Sequence, residues 1–168
     1  MFSYKKKLIL VVTLFFIYGC NEQNKTIPIK KEVKSSKWIK GADFIADSAY
    51  SYIAKQVSFG ARVPSTKEHQ ICGDWLVGKL KAFGYQIDEQ IGEVKAFNGK
   101  VLPVRNIIGS INPNAKKKVL LCAHWDTRPF ADRDSMNMNQ PIIGANDGAS
   151  GVGVILEIAR ILKRDSIK

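Results

Sequence analysis

From about residue 38 onward the sequence predicts an α/β fold around a mostly parallel sheet, on three observations. Apolar residues recur at helical period through two segments, and then the period shortens to that of strands. The run "KVLLCAHWD" (118–126) holds almost no polar residue between Lys118 and His124. Such continuity suits a strand covered on both faces of a parallel sheet. The last long segment, "GASGVGVILEIARILKR" (148–164), is apolar on most sides and reads as a buried helix.

The elements follow in order. Residues 41–59, "GADFIADSAYSYIAKQVSF", place Phe44, Ile45, Ala49, Tyr52, Ile53 and Val57 at helical spacing, and Gly60 stops the helix. The connector "GARVPST" is rich in turn formers, and Pro64 biases Val63 toward an extended conformation. Ser65 or Thr66 can then cap a second helix, "KEHQICGDWLVGKLKAF", whose apolar face is Ile71, Trp75, Leu76, Leu80 and Phe83 and which Gly84 ends. Three strands are expected next: in "YQIDEQIGEVKAF", in "VRNIIGSI" and in "KVLLCAHWD". Asn98-Gly99 is a turn signal between the first two, and "NPNAKKK" a polar connection into the third. A long loop from Thr127 to Ala145 leads to the final helix. No internal repeat is visible.

The chain has 168 residues, 45% hydrophobic and 24% charged, a globular composition. Its beginning reads differently. "MFSYKKK" is basic, and "LILVVTLFFIYG" is apolar but short of the about 20 residues that span a bilayer. Residues 1–20 are therefore read as a secretion signal. Ile17-Tyr18-Gly19-Cys20 resembles a lipobox, with Cys20 as the lipidated residue, although Tyr18 is bulkier than that pattern usually carries. An uncleaved N-terminal anchor is the alternative, and both readings put the chain in the bacterial cell envelope, tethered to the membrane and facing the periplasm or exterior. Residues 21–37 are polar and lysine-rich, a solvated tether. Residues 38–168 form the folded part. Much of the +11 formal charge sits in the signal and tether, where attraction to an anionic membrane surface explains it. No basic stripe interleaved with aromatics appears beyond them, which argues against a nucleic-acid partner. Cys72 and Cys122 can pair in an oxidising compartment, but one lies in a helical pattern and the other in a strand. Separate burial as small hydrophobes is the preferred reading.

The chemistry concentrates in two short stretches. In "AHWDTRP" (123–129), residues two apart on a strand project to one face, so His124 and Asp126 point together into the space beyond the strand's end. That space is where open α/β sheets bind ligands. In "GANDGASG" (144–151), glycines flank Asp147 and permit a sharp turn into the helix. A carboxylate held there can bind a cation. Taken singly, each residue has a plainer explanation: an N-cap for Asp147, a turn-forming Asx for Asp126, and a satisfied strand-end histidine for His124. The order of strand, H-x-D, loop, "GANDGASG" and buried helix is far more specific than any one of them.

That order resembles the zinc aminopeptidase family that also contains the glutaminyl cyclases, the family-28 metallopeptidases. "GARVPST" with "WLVGKLKAFG", "VRNIIGSINP" and "LLCAHWDTRPFADRD…PIIGANDGASGVGVILEIAR" carry the resemblance. The "TRP" and the unbroken "NDGASGVG" look most like bacterial glutaminyl-peptide cyclotransferases. Dizinc aminopeptidases more often carry Asp or Asn where this chain has Gly148. The resemblance implies a three-layer sandwich with a mixed, largely parallel central sheet. It implies Asp147 as a zinc ligand, His124 as a ligand of a second zinc in a two-zinc peptidase only, and Asp126 as a second-sphere carboxylate that orients its neighbours. It also implies one zinc for a cyclase or two for an aminopeptidase, and peptide or protein N-termini as substrates. Animal cyclases pair a cysteine beside the H-x-D histidine with one in the following helix; Val152 falls near the latter position here, so that disulfide is not expected.

A catalytic zinc takes three protein ligands and an open position. The family draws its other carboxylate and histidine, and its general acid/base glutamate, from segments beyond the helix that ends this sequence. His69 is expected in the second helix, away from the site, and Glu157 is expected to face Arg160 or solvent. The chain is accordingly read as the N-terminal portion of such an enzyme, holding no catalytic residue of its own and an incomplete zinc site. Three functions remain open: zinc-dependent conversion of N-terminal glutamine to pyroglutamate with release of ammonia, dizinc aminopeptidase hydrolysis, or a catalytically inactive lipid-anchored protein.

Overall fold

The computed structural model describes residues 41–165. The signal, Cys20 and the tether lie outside the described residues. Helix α1 (Ala46–Ser58) and helix α2 (Lys67–Ala82) precede strands β1 (Gln86–Lys95) and β2 (Val101–Ser110). An irregular turn, Ala145–Ser150, then opens helix α3 (Gly151–Arg164).

Helix α1 starts five residues later than its apolar spacing suggests, and Phe44 and Ile45 are exposed before it. What fixes its start is tertiary. The Ile45 N–H donates to the Glu157 carboxylate of α3 at 3.0 Å, placing a negative group at the positive end of the helix. Glu157 is fully buried, and Arg160 donates to both of its oxygens, at 2.8 and 2.7 Å. Those bonds, foremost, hold the Glu157 carboxyl below the usual carboxylate range. Gly153 permits the contact between the two helices: a Cβ there would lie 2.7 Å from Ile53 Cγ1 and 2.9 Å from the Ala49 carbonyl. In α2, Thr66 is the cap, accepting from the His69 N–H at 3.2 Å.

The core gathers Tyr52 of α1, Cys72 and Leu76 of α2, Trp125, and Val152 and Leu156 of α3. Trp75, Leu80 and Phe83 pack against it as partly buried residues, as the α2 spacing predicts. Ile71 does not: it is exposed, and Cys72 and Val77 take the inner face instead. The buried stripe is therefore rotated by one residue from the one read in the sequence.

The sheet departs most from expectation. β1 and β2 form an antiparallel pair running from Gln86↔Ser110 to Lys95↔Val101, closed by a turn in which the Ala96 N–H donates to Lys100 O at 2.8 Å. Asn98 and Gly99 sit in that turn, as expected. Among the described residues there is no parallel ladder, and 118–126 joins no sheet. Val119 and Leu120 are 88% and 82% exposed, so this run is not covered on two faces. A helix closes its hydrogen bonds within itself, whereas a strand needs a neighbour, and β1 and β2 are paired with each other. Cys122, expected buried, is exposed and unpaired, while Cys72 is buried and unpaired. Burial pushes the Cys72 thiol up to about 11. No described helix is long and apolar enough to cross a membrane.

Candidate functional site

Past Cys122 the open run becomes anchored, and burial alternates along it. His124 is exposed, Trp125 buried, Asp126 half-buried and Thr127 buried. The alternation is that of an extended chain with one face on the core. Trp125 supplies the anchor. Its indole N–H donates to Arg105 O of β2 at 3.3 Å, and its ring stacks on His69 with 4.1 Å between centroids. His69 is therefore not remote from the site, as its place in α2 suggested; it packs beneath the H-x-D segment. Burial lowers the His69 pKa, against the opposing pull of the Asp126 charge. The Thr127 N–H donates to Arg62 O at 3.1 Å and fixes the far side of Asp126.

With Trp125 turned inward, His124 and Asp126 turn outward. His124 Nδ1 lies 3.1 Å from the Asp126 carbonyl and 3.6 Å from its carboxylate. A carbonyl only accepts, and so does the carboxylate that faces the other ring nitrogen, so the imidazole meets an acceptor on both sides. Nε2 faces outward, and 3.0 Å away is Asp147 Oδ1. The structure thus brings together His124, Asp126 and Asp147, and the first and last have side chains 55% exposed.

The turn before α3 delivers Asp147. Its backbone leaves helical geometry at Asp147 (φ −83°, ψ 94°) and Gly148 (φ 99°, ψ −58°). That turn carries no side-chain cap bond, so Asp147 is not spent as an N-cap; its carboxylate meets the histidine. Gly148 is required twice over. Its positive φ suits glycine, and a Cβ would lie 3.0 Å from both His124 Cε1 and His124 O. The turn is tied to α1 by Gln56, whose Nε2 donates to Ala149 O at 3.1 Å.

Nitrogen and carboxylate oxygen are a donor set that borderline cations such as zinc accept. A ring nitrogen facing a carboxylate at hydrogen-bond distance is a place for a proton or a metal ion. The residues present fit such an ion as two of its ligands: no group of three or more His, Cys, Asp or Glu side chains that could hold a metal converges among the described residues. Arg62 was not apparent from sequence. Fully buried, it donates to carbonyls on either side of the site. An arginine in a turn-rich connector carries no periodic or motif signal that would mark it.

Residues 106–168 match the model of peptidase family M28. The crystal structure of Bacteroides thetaiotaomicron glutaminyl cyclase bound to N-acetylhistamine is 54% identical, with a TM-score of 0.72, over 74% of this chain and 44% of that one. A leucine aminopeptidase precursor from the same species is 53% identical, with a TM-score of 0.73, over 76% of this chain and 44% of that one. A probable zinc metalloprotease of Pyrenophora teres f. teres is 26% identical over 141 residues, 73% of this chain and 28% of the relative. The chain thus spans less than half the length of these relatives. The fold they share with it is the aminopeptidase-like α/β fold, of which the described residues show three helices and one antiparallel strand pair. Motif, geometry and these likenesses converge on one conclusion: the chain belongs to peptidase family M28.

Proposed function

We propose that the protein takes part in glutaminyl-peptide cyclisation, converting N-terminal glutamine to pyroglutamate with release of ammonia, and that Asp147 holds a zinc ion for it. The observation that carries this reading is the Asp147 carboxylate, half-exposed at the mouth of a turn that it does not cap. Likeness to the Bacteroides glutaminyl cyclase supports it. Gly148 adds a local argument. Two-zinc aminopeptidases more often carry Asp or Asn at the matching position, and here any side chain would press on the His124 ring.

The chain's own residues have definable tasks. Asp147 presents its carboxylate to the ion from a turn that the Gln56 amide holds in place. The Asp126 carbonyl, 3.1 Å from His124 Nδ1, orients the imidazole beside that carboxylate. Trp125, anchored on β2 and His69, keeps both outward-facing neighbours in register. A zinc ion held there would supply Lewis-acid polarisation of the γ-carboxamide oxygen, preparing its carbon for attack by the substrate's own α-amine.

A second reading, aminopeptidase hydrolysis with two zincs, is favoured by the likeness to the leucine aminopeptidase precursor and by His124 lying beside Asp147 as a ligand of the second ion would. The test uses the gene product as the cell makes it, loaded with zinc and given a peptide that begins with glutamine. Loss of ammonia with the peptide otherwise intact, together with loss of zinc and activity in Asp147→Ala, is the expected outcome. Release of free glutamine with two zincs per chain would replace the cyclase by the peptidase. Unchanged zinc binding in Asp147→Ala would end both.

A further inference from the structure

We infer that Arg62 is the positioning residue of the His124–Asp147 pair, its one guanidinium tying the backbone between His124 and Asp126 to the backbone that opens the turn carrying Asp147. The inference rests on the reading of that pair as a metal site. Arg62 belongs to no helix or strand and is 0% exposed. Its Nε donates to Trp125 O at 3.0 Å, Nη1 to Ile143 O at 2.9 Å and Nη2 to Gly144 O at 2.9 Å. Nη1 also reaches Gly60 O at 3.2 Å and Gln56 O at 3.4 Å, at the end of α1. Its own carbonyl accepts the Thr127 N–H at 3.1 Å. Residue 62 thus grips Trp125 with its side chain and Thr127 with its backbone, on either side of Asp126. The same guanidinium holds Gly144, whose carbonyl also receives the Ala149 N–H at 3.3 Å across Asp147.

Energetics favour a positioning role over a simple stabilising one. Among the described residues no carboxylate forms an ion pair with Arg62. A buried cation satisfied only by carbonyls is a costly way to fill space, and apolar residues of similar volume often serve stability as well or better. What an apolar residue cannot do is fix several carbonyls in one plane. The rigid, forked donor array of arginine does, and the compact ammonium of lysine does not. Once Trp125 O and Gly144 O are held to one guanidinium, the chains leading to His124 and Asp147 have little freedom to separate.

The experiment uses the full chain and three variants: Arg62→Met, Arg62→Lys, and Ile161→Ala as a control that loses buried packing outside the Trp125 cluster. Amide hydrogen exchange is compared between the Thr127 and Ala149 N–H groups and those of Ile158 and Ala159 inside α3. Zinc binding is measured by calorimetry with the metal alone. In Arg62→Met the first pair should exchange at least about tenfold faster relative to the second, and the zinc Kd should rise about tenfold, the scale of losing an outer-sphere partner. Arg62→Lys should fall between Arg62→Met and the unchanged chain. Ile161→Ala should speed all four amides together and leave the zinc Kd of the folded form within about twofold, since it lies outside the cluster that anchors the site. Uniform acceleration in Arg62→Met, or a zinc Kd that moves no further than in Ile161→Ala, overturns the inference. If Arg62→Met does not fold, the same two criteria are applied to Arg62→Lys. Absence of zinc binding in the unchanged chain, with selective exchange in the variant, would defeat the metal reading and leave the clamp standing.

Discussion

Two apolar stretches of this molecule meet opposite fates. In α3, Val152 and Leu156 are buried against α1 and α2, with Leu156 only 1% exposed. In 119–121, Val119, Leu120 and Leu121 face solvent; Leu120 and Leu121, with Cys122, line one wall of a groove whose other wall is Val154, Ile155 and Ile158 of α3. The residue types are alike; the hydrogen-bonding needs of their backbones are not. A helix arrives with its polar groups satisfied and needs only an apolar surface to lie on. An extended segment needs lateral partners before burial becomes favourable. The candidate site sits where the two regimes meet: His124 at the end of the open run, Asp147 at the start of the packed helix.

The largest effect that would sharpen this contrast is expected from Leu156→Ala. Truncating a side chain in the centre of the core removes transfer free energy and leaves a cavity, a loss of about 3 kcal/mol. Urea denaturation followed by circular dichroism measures it. A loss below about 1 kcal/mol would mean that the helix cluster is not the stability-bearing part of the chain.

Next in size is Gly148→Ala. The φ of 99° is unfavourable for alanine, and the new methyl would press on the His124 ring and carbonyl. The strain should cost about 1–3 kcal/mol. Unlike the core substitution it should also displace the His124 side-chain resonances in NMR spectra. Stability lost without movement of those resonances would show that the turn relaxes away from the site, and would break the argument that Gly148 is shaped around His124.

The same division decides what was legible in the sequence. Helices α1, α2 and α3 were readable because their apolar spacing is local and their stops, Gly60 and Gly84, are chemical; the late start of α1 and the rotation of the α2 stripe from Ile71 to Cys72 needed the packing. The Asn98-Gly99 turn was readable for the same reason. The pairing of 118–126 was not, because a strand's character in sequence says nothing about which strand hydrogen-bonds to it. His124, Asp126 and Asp147 could be named from the order of their motifs, yet their 3.0 Å approach depends on residues with no motif at all. Arg62, Gln56 and the stacking of His69 on Trp125 act across large sequence separations, through carbonyls and ring faces that any sequence possesses. Polar residues buried by tertiary contact leave no period to read.

The smallest expected effect is the most direct attack on the comparison. Leu120 is 82% exposed, so Leu120→Lys removes little buried area and adds a charge that water can solvate. Stability should change by no more than about 0.5 kcal/mol, against about 3 kcal/mol for Leu156→Ala in the same chain. Solubility should rise, because a charge would interrupt the exposed run "VLL" that otherwise offers an unpaired edge to other chains. Denaturant midpoints and light scattering read the two quantities separately. A loss for Leu120→Lys as large as that for Leu156→Ala would mean that the open run is buried in solution and that the two regions do not differ. A small loss with reduced scattering would instead place Leu120 outside the packed unit, whose first buried residue along this run is Trp125.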